Sequence, residues 1–318
     1  MDEDPQFIRR ADMKEKLTLK DKELLHSIDR FNVLTVSQIA ALTNRRRQVI
    51  RRCIRTLSEK GLIKSIQRPY TNHKGRPEDI IRMTAAGRNH LLNTMDHQID
   101  SLSKTGSDFP EPIEFNCLDH DLLMNWALIH FMYIERAIPC LEFLTLDQSH
   151  DHPIGRRKLF VPNPDGISEP IELIPDSVVA FHHKDKKKTL LFFLEVDMGT
   201  ETVSSPNHNP DIRRKLVHYQ MLFRSAHYRI FEKDLKNKPV GFRLLFLTST
   251  TARLNQLGTF VREAAPFDFI WMTDQDSMFS KGLSSLIWYV GGKMNQPTRS
   301  ILGTTLAADT TVLDKIGQ

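Results

Sequence analysis

The stretch from Asn44 to Gly61 constrains the fold more than any other part of the chain. Read as a helix over Arg45–Lys60, it gathers Val49, Ile50, Cys53, Ile54 and Leu57 into one sector about 140° wide. Arg51, Arg52 and Arg55 fall on the opposite side, Arg47 lies near the border, and Arg45 and Arg46 sit in the first turn. Asn44 is placed to cap the start, and Gly61 to end the helix where a left-handed backbone is wanted. A helix with one core face and one Arg face needs neighbours that bury the first and leave the second bare. Upstream, Lys22–Phe31 has helical apolar spacing, and Val36–Leu42 reads as a short second helix with Thr35 as its cap. Downstream, Leu62–Gln67 reads as a strand, 68–79 as a polar loop and Ile80–Met83 as a return strand, after which Thr84 opens another helix. Helix, short helix, turn, longer helix and hairpin is the pattern of a winged helix-turn-helix.

Charge singles out the same segment. The whole chain carries 44 Lys+Arg against 39 Asp+Glu, a formal net charge of +5, which says little as a total. Between Asn44 and His90 there are 13 basic residues and 3 acidic ones, a local charge of +10, so the remainder of the chain stands at −5. Surface helices usually intersperse Glu to form i,i+4 pairs, whereas this one has Glu59 alone, near its end. Arginine suits phosphate forks and guanine edges. With Lys64, Arg68, Lys74 and Arg76 on the hairpin, the pattern predicts double-stranded DNA as the partner, the alternative being a solvated or protein-contacting face. Helix-turn-helix proteins often read paired half-sites, which allows a homodimer, although no heptads support one.

Several classes are set aside. Cys53, Cys117 and Cys140 are too few for a disulfide framework and lack Cys/His metal spacing. The dispersed histidines, among them His120, His130, His182 and His183, read as core or surface residues. No signal-peptide core, long apolar run or phosphate-binding glycine loop occurs, so a soluble cytoplasmic protein with no membrane partner is expected. The length of 318 residues suggests two domains. The expected organisation is a flexible N-terminus (1–18), a winged-helix domain (19–95), a linker (96–115), an α/β domain (116–292) and a tail (293–318).

In the second domain, Leu118–Ile138 reads as a long helix. Cys140–Leu146, Glu172–Phe181 and Thr189–Asp197 read as three strands, with a basic hairpin turn between the last two. Ile212–His227 reads as a helix, Gly241–Thr248 as a strand, Thr251–Ala264 as a helix and Phe267–Met272 as a final strand. Glu195 and Asp197 are two apart on one strand and so project from the same face. Asp176 lies on the strand before it. Three carboxylates brought to one place form an oxygen site for Mg2+, and a metal so held activates water against a phosphodiester. The plain alternative is that the acids mark the strand's emergence into solvent.

Pro175-Asp176, a spacer and Glu195-Val196-Asp197 together resemble the PD-(D/E)xK nuclease core. The resemblance implies Asp176 and Glu195 as metal ligands, with Asp197 standing where the superfamily usually has Lys. Lys215 and Tyr219, an i,i+4 pair on the next helix, resemble a QxxxY pair with Lys in place of Gln, which makes Lys215 a relocated lysine. Glu135 resembles an extra acidic residue of some branches. The whole is similar to the replication-relaxation family of plasmid and mobile-element proteins. Its marks are Gly61-Leu62-Ile63, Met83-Thr-Ala-Ala-Gly87, Ile174-Pro-Asp176, Leu194-Glu-Val-Asp-Met-Gly-Thr-Glu201 and Arg214-Lys-Leu-Val-His-Tyr219. The resemblance implies a winged helix followed by a restriction-endonuclease-like mixed-sheet domain of α+β or α/β class, acting on DNA with replication or mobilisation proteins. Asp176, Glu195, Asp197, Lys215 and Tyr219 would be its catalytic set. The alternative function is a non-enzymatic winged-helix regulator or replication accessory factor with an inactive nuclease-like fold.

Overall fold

The computed structural model describes residues 17–68, 76–94, 115–146, 158–161, 163, 169–200, 212–235, 237–239, 241–264 and 267–308. Helix α1 (Leu19–Phe31) starts in a capping box of Thr18 and Asp21. After β1 (Leu34–Thr35), α2 (Val36–Thr43) starts in a second box. Thr35 Oγ1 accepts the Gln38 N–H at 3.2 Å, and Gln38 Oε1 accepts the Thr35 N–H at 3.0 Å.

Asn44 does not begin the next helix. It ends α2 with a left-handed backbone (φ 51°, ψ 44°), which asparagine adopts more readily than most residues. Helix α3 therefore runs Arg47–Glu59, with Arg46 at its cap position. Ile50, Ile54 and Leu57 are its buried residues, whereas Val49 is 42% exposed. Val49 lies about 100° around the helix from Ile50, and the contact face is too narrow to reach it. Gly61, at φ +70°, turns the chain out of α3 as its position suggested.

Strands β2 (Ile63–Ile66) and β3 (Ile80–Met83) pair antiparallel, Ile63 opposite Met83, and β1 adds to the other edge of β3. Helix α4 (Ala85–Thr94) follows, with the Gly87 N–H donating to Thr84 Oγ1 at 3.1 Å. Gly87 packs on the backbone at Leu62, where a Cβ would come within 2.1 Å of the carbonyl oxygen. This is a winged helix. The expected linker lies outside the described residues except for Phe115, where α5 (Phe115–Ala137) begins.

The second sheet has six strands in the order β11-β10-β9-β8-β7-β4. They are β4 (Leu141–Thr145), β7 (Ser177–His183), β8 (Lys188–Asp197), β9 (Phe242–Thr248), β10 (Ile270–Asp274) and β11 (Tyr289–Val290). β4, β7 and β8 are antiparallel, β8, β9 and β10 parallel, and β11 antiparallel to β10. The continuous strand expected over Glu172–Phe181 is instead two. β6 (Ile171–Leu173) pairs with β5 (Leu159–Val161) in a separate ribbon, and β7 starts after Pro175, which has no N–H to give a ladder. Helix α6 (Ile212–Arg224) leads through a 3-10 turn (His227–Phe231) to a short α7 (Glu232–Leu235). Helix α8 (Thr251–Ala264) spans the expected residues.

The chain does not trail off after β10. Helix α9 (Gln275–Lys281) and β11 follow, and residues 293–308 pack back on the domain, so the expected tail is part of the fold at least to 308. Ile301 and Leu302 are buried, Trp288 bridges to Arg299, and Arg243 donates to the Ile301 carbonyl while stacking 4.5 Å from the Trp271 ring.

Period-2 alternation divides the sheet's side chains between two cores. Phe181, Phe192, Leu194 and Leu245 face α5, and Phe193, Leu244, Phe246 and Met272 belong to the core that includes α6 and α8. The first core continues without a break into α1, α2 and α3. Helix α5 joins the two modules. Tyr133 donates to the Ala41 carbonyl (2.9 Å), Asn125 to that of Val33 (2.7 Å), and Gln38 of α2 donates to that of Leu122 (2.8 Å).

Candidate functional site

The Arg face of α3 follows from the burial of its other side. Arg46, Arg51, Arg52 and Arg55 are exposed, with Gln48 and Val49 between them, and Lys64 is exposed on β2. Three other basic residues of the set have acidic neighbours. Arg45 pairs with Glu23 of α1 at 2.6 Å, Arg68 with Asp119 of α5, and Arg76 with Asp79 at 3.3 Å. Arg47 is half-buried, and Lys74 lies outside the described residues.

The acidic residues converge only in part. Glu195 is buried on β8 and faces α6, whose i,i+4 spacing presents two partners to it. Lys215 Nζ donates to Glu195 Oε2 at 2.9 Å, and the Tyr219 hydroxyl donates to Oε1 at 2.5 Å. Asp176 sits in the break before β7. Its Oδ2 accepts the Val196 N–H at 2.8 Å and lies 3.0 Å from His120 Nε2 on α5. Asp197 is turned to a different partner, Arg253 of α8. Its Oδ2 accepts from Arg253 Nε at 2.7 Å, and its Oδ1 accepts the Gly199 N–H at 2.8 Å.

Burial sets the protonation of this cluster. Removal from water raises Glu195 to about 7, with the Asp176 charge adding to the rise and Lys215 and Tyr219 opposing it. Burial also pushes Asp176 up, but the hydrogen bond and charge of His120, then Lys215 and the Val196 N–H, hold it at about 2. Burial pulls His120 down, and the hydrogen bonds to Asp121 and Asp176 more than offset this and carry it to about 9. Near neutral pH the cluster therefore pairs an ionised Asp176 with a cationic His120, beside a Glu195 that exchanges its proton.

These residues do not fit the expected Mg2+ centre. Among the described residues, Asp176, Glu195 and Asp197 do not bring three ligand oxygens within 4.8 Å of one another. Both oxygens of Asp197 are held by protein donors, and each carboxylate already has a cation beside it. Glu135 accepts the Phe143 N–H at 3.2 Å and so serves the β4 edge. One group that could hold a metal ion does occur, at Cys140, His183 and Asp185.

His120, which the sequence reading sets aside as a core or surface histidine, and Arg253, which it does not name, are members of the acidic cluster. His120 lies between Asp119 and Asp121 near the start of α5, a local signal that becomes meaningful only once Asp176 is opposite it. Arg253 carries no signal in the sequence.

Residues 25–233 match the replication-relaxation family. The chain belongs to this family. Membership supports a DNA-associated function, in accord with the winged helix at the head of the matched region. No curated protein matches this chain. A likeness to the solved structure of a Lactococcus lactis ZitR mutant covers 27% of this replication-relaxation protein and 56% of that chain, at 18% identity and a TM-score of 0.23. Among the described residues, no helix is long and apolar enough to cross a membrane.

Proposed function

We propose that this protein binds double-stranded DNA through its winged helix in plasmid or mobile-element replication or mobilisation, as an accessory or regulatory factor working with other replication proteins. The observation that carries the reading is the face of α3, where Arg46, Arg51, Arg52 and Arg55 stand exposed while Ile50, Ile54 and Leu57 bury the opposite side. Arginines so displayed along a helix in a winged-helix frame suit the phosphates and base edges of a duplex groove. The α/β domain serves as a scaffold in this reading, because its three acids are neutralised by His120, Lys215 and Arg253 rather than left for a metal.

Titration of labelled duplex DNA at several salt concentrations tests the binding claim. Affinity that does not fall with salt, or that survives loss of the arginines, overturns it. A hydrolytic reading keeps one observation in its favour, the position of Lys215 beside Glu195. Incubation of supercoiled and linear DNA with Mg2+ or Mn2+ separates the two. Cutting that disappears in both Asp176→Ala and Glu195→Ala would replace the scaffold reading with a nuclease.

A further inference from the structure

At the end of the sheet remote from the acidic cluster, the β7–β8 hairpin meets the start of β4. His183 closes β7 opposite Leu141, and the Lys184 N–H donates to the Cys140 carbonyl at 2.9 Å, which extends the pairing by one step. Asp185 follows in the turn. This backbone arrangement gathers three side chains from positions 43 and 45 residues apart in the chain, and their ligand atoms all lie within 4.8 Å of one another. Cys140 and His183 are half-buried and Asp185 is exposed, so the group opens to solvent on one side.

We propose that Cys140, His183 and Asp185 form a transition-metal site that takes Zn2+, distinct from the acidic cluster. The donor set decides the metal class. Thiolate, imidazole and carboxylate together suit zinc and related borderline ions, whereas Mg2+ and Ca2+ are held by oxygens. Zinc bonds of about 2.0–2.3 Å put tetrahedral ligand atoms about 3.3–3.7 Å apart, so ligand atoms that already lie within 4.8 Å of one another close on the metal by at most about 1.5 Å. Asp185 is exposed, so its carboxylate takes up part of that movement. The His183 ring gives up little by turning, since its Nδ1 only receives the Lys186 N–H at a long 3.4 Å.

Lys184 of the turn does not oppose the metal. Zn2+ with one thiolate and one carboxylate is a neutral centre, and Lys184 is directed away to the Pro139 carbonyl at 3.0 Å. Three protein ligands leave a fourth position for water. The site ties the chain that leaves α5 to the β7–β8 hairpin at the edge of the sheet. The ten residues of β8 put it about 30 Å from Asp197, so its occupancy is read independently of the acidic cluster.

The test uses the full chain, stripped with a chelator and titrated with Co2+ as a spectroscopic stand-in for zinc. The expected result is one equivalent bound, with a thiolate-to-cobalt charge-transfer band and the visible bands of tetrahedral cobalt, both removed by stoichiometric Zn2+. Cys140→Ser abolishes the charge-transfer band, and Asp185→Asn and His183→Gln weaken binding at least tenfold. Exposed Asp185 keeps the test valid should Cys140→Ser fold poorly, and Cys53→Ala with Cys117→Ala leaves the band in place. Absence of the band in the parent, or its persistence in Cys140→Ser or at full strength in Asp185→Asn, overturns the proposal.

Discussion

Lys215 on α6 holds its ammonium 2.9 Å from the buried carboxylate of Glu195 on β8. The contact joins a helix to a sheet strand, and it opposes the burial that favours the neutral form of Glu195. Glu195 is raised from 4.5 to about 7, so its neutral form favours folding below 4.5 and that contribution is lost as pH rises through 7. Lys215→Met therefore destabilises more at pH 8 than at pH 5. The expected loss at pH 8 is about 1–3 kcal/mol, below that of a fully buried pair because Lys215 is partly exposed. Denaturant titrations at the two pH values measure it. An equal loss at both means that the lysine does not act through Glu195.

The His120–Asp176 pair has the opposite acid limb. Asp176 is depressed from 3.8 to about 2, so its contribution is present above 3.8 and lost as pH falls through 2. His120 is raised from 6.5 to about 9, so its contribution is complete below 6.5 and lost as pH rises through 9. His120→Gln is expected to remove the alkaline decline in stability between about pH 6.5 and 9 while keeping a hydrogen bond to Asp176. Nuclear magnetic resonance titration of the His120 ring checks the same point directly, and a midpoint near 6.5 would falsify it.

Asp197 and Arg253 are 7% and 9% exposed, so removal of one leaves the other charge buried. Arg253→Leu is expected to cost about 3–5 kcal/mol, and Asp197→Asn in the same chain to recover part of this. Millimolar Mg2+ is expected to leave the melting temperature of the parent unchanged. A rise that vanishes in Asp197→Asn would make Asp197 a metal ligand after all.

On the DNA face, Arg51→Ala, Arg52→Ala and Arg55→Ala together are expected to weaken duplex binding and to flatten its dependence on log salt by about 0.9 for each phosphate contact removed. Arg45→Ala serves as the contrast. Its partner is Glu23, so the expected effect is a small loss of stability with the salt dependence of binding unchanged. Fluorescence anisotropy on one duplex at three salt concentrations distinguishes the two.

Much of the fold was legible locally. Thr35, Thr84 and Gly61 mark helix ends through their own side chains or backbone freedom, and the alternation in Thr189–Asp197 assigns its residues to two faces whatever lies beyond them. Asn44 misled because the same residue type serves the start of one helix and the end of another, and only the backbone angle distinguishes them. Val49 misled because a sector drawn on one helix does not know how wide its neighbour is. The expected tail was misread because Ile301 and Leu302 show no periodicity and are buried only by contact with distant elements.

By itself the sequence determined the winged helix with its Arg face, because helix periodicity leaves those side chains no other direction; it put Lys215 and Tyr219 on one helix face, and only the resemblance to the nuclease core implied that this face belongs with Glu195. Tertiary structure alone decided that Asp197 meets Arg253, that Asp176 meets His120, and that Cys140, His183 and Asp185 come together. Each of these contacts depends on how separate elements pack, and buried charges select whichever opposite charge that packing brings within reach.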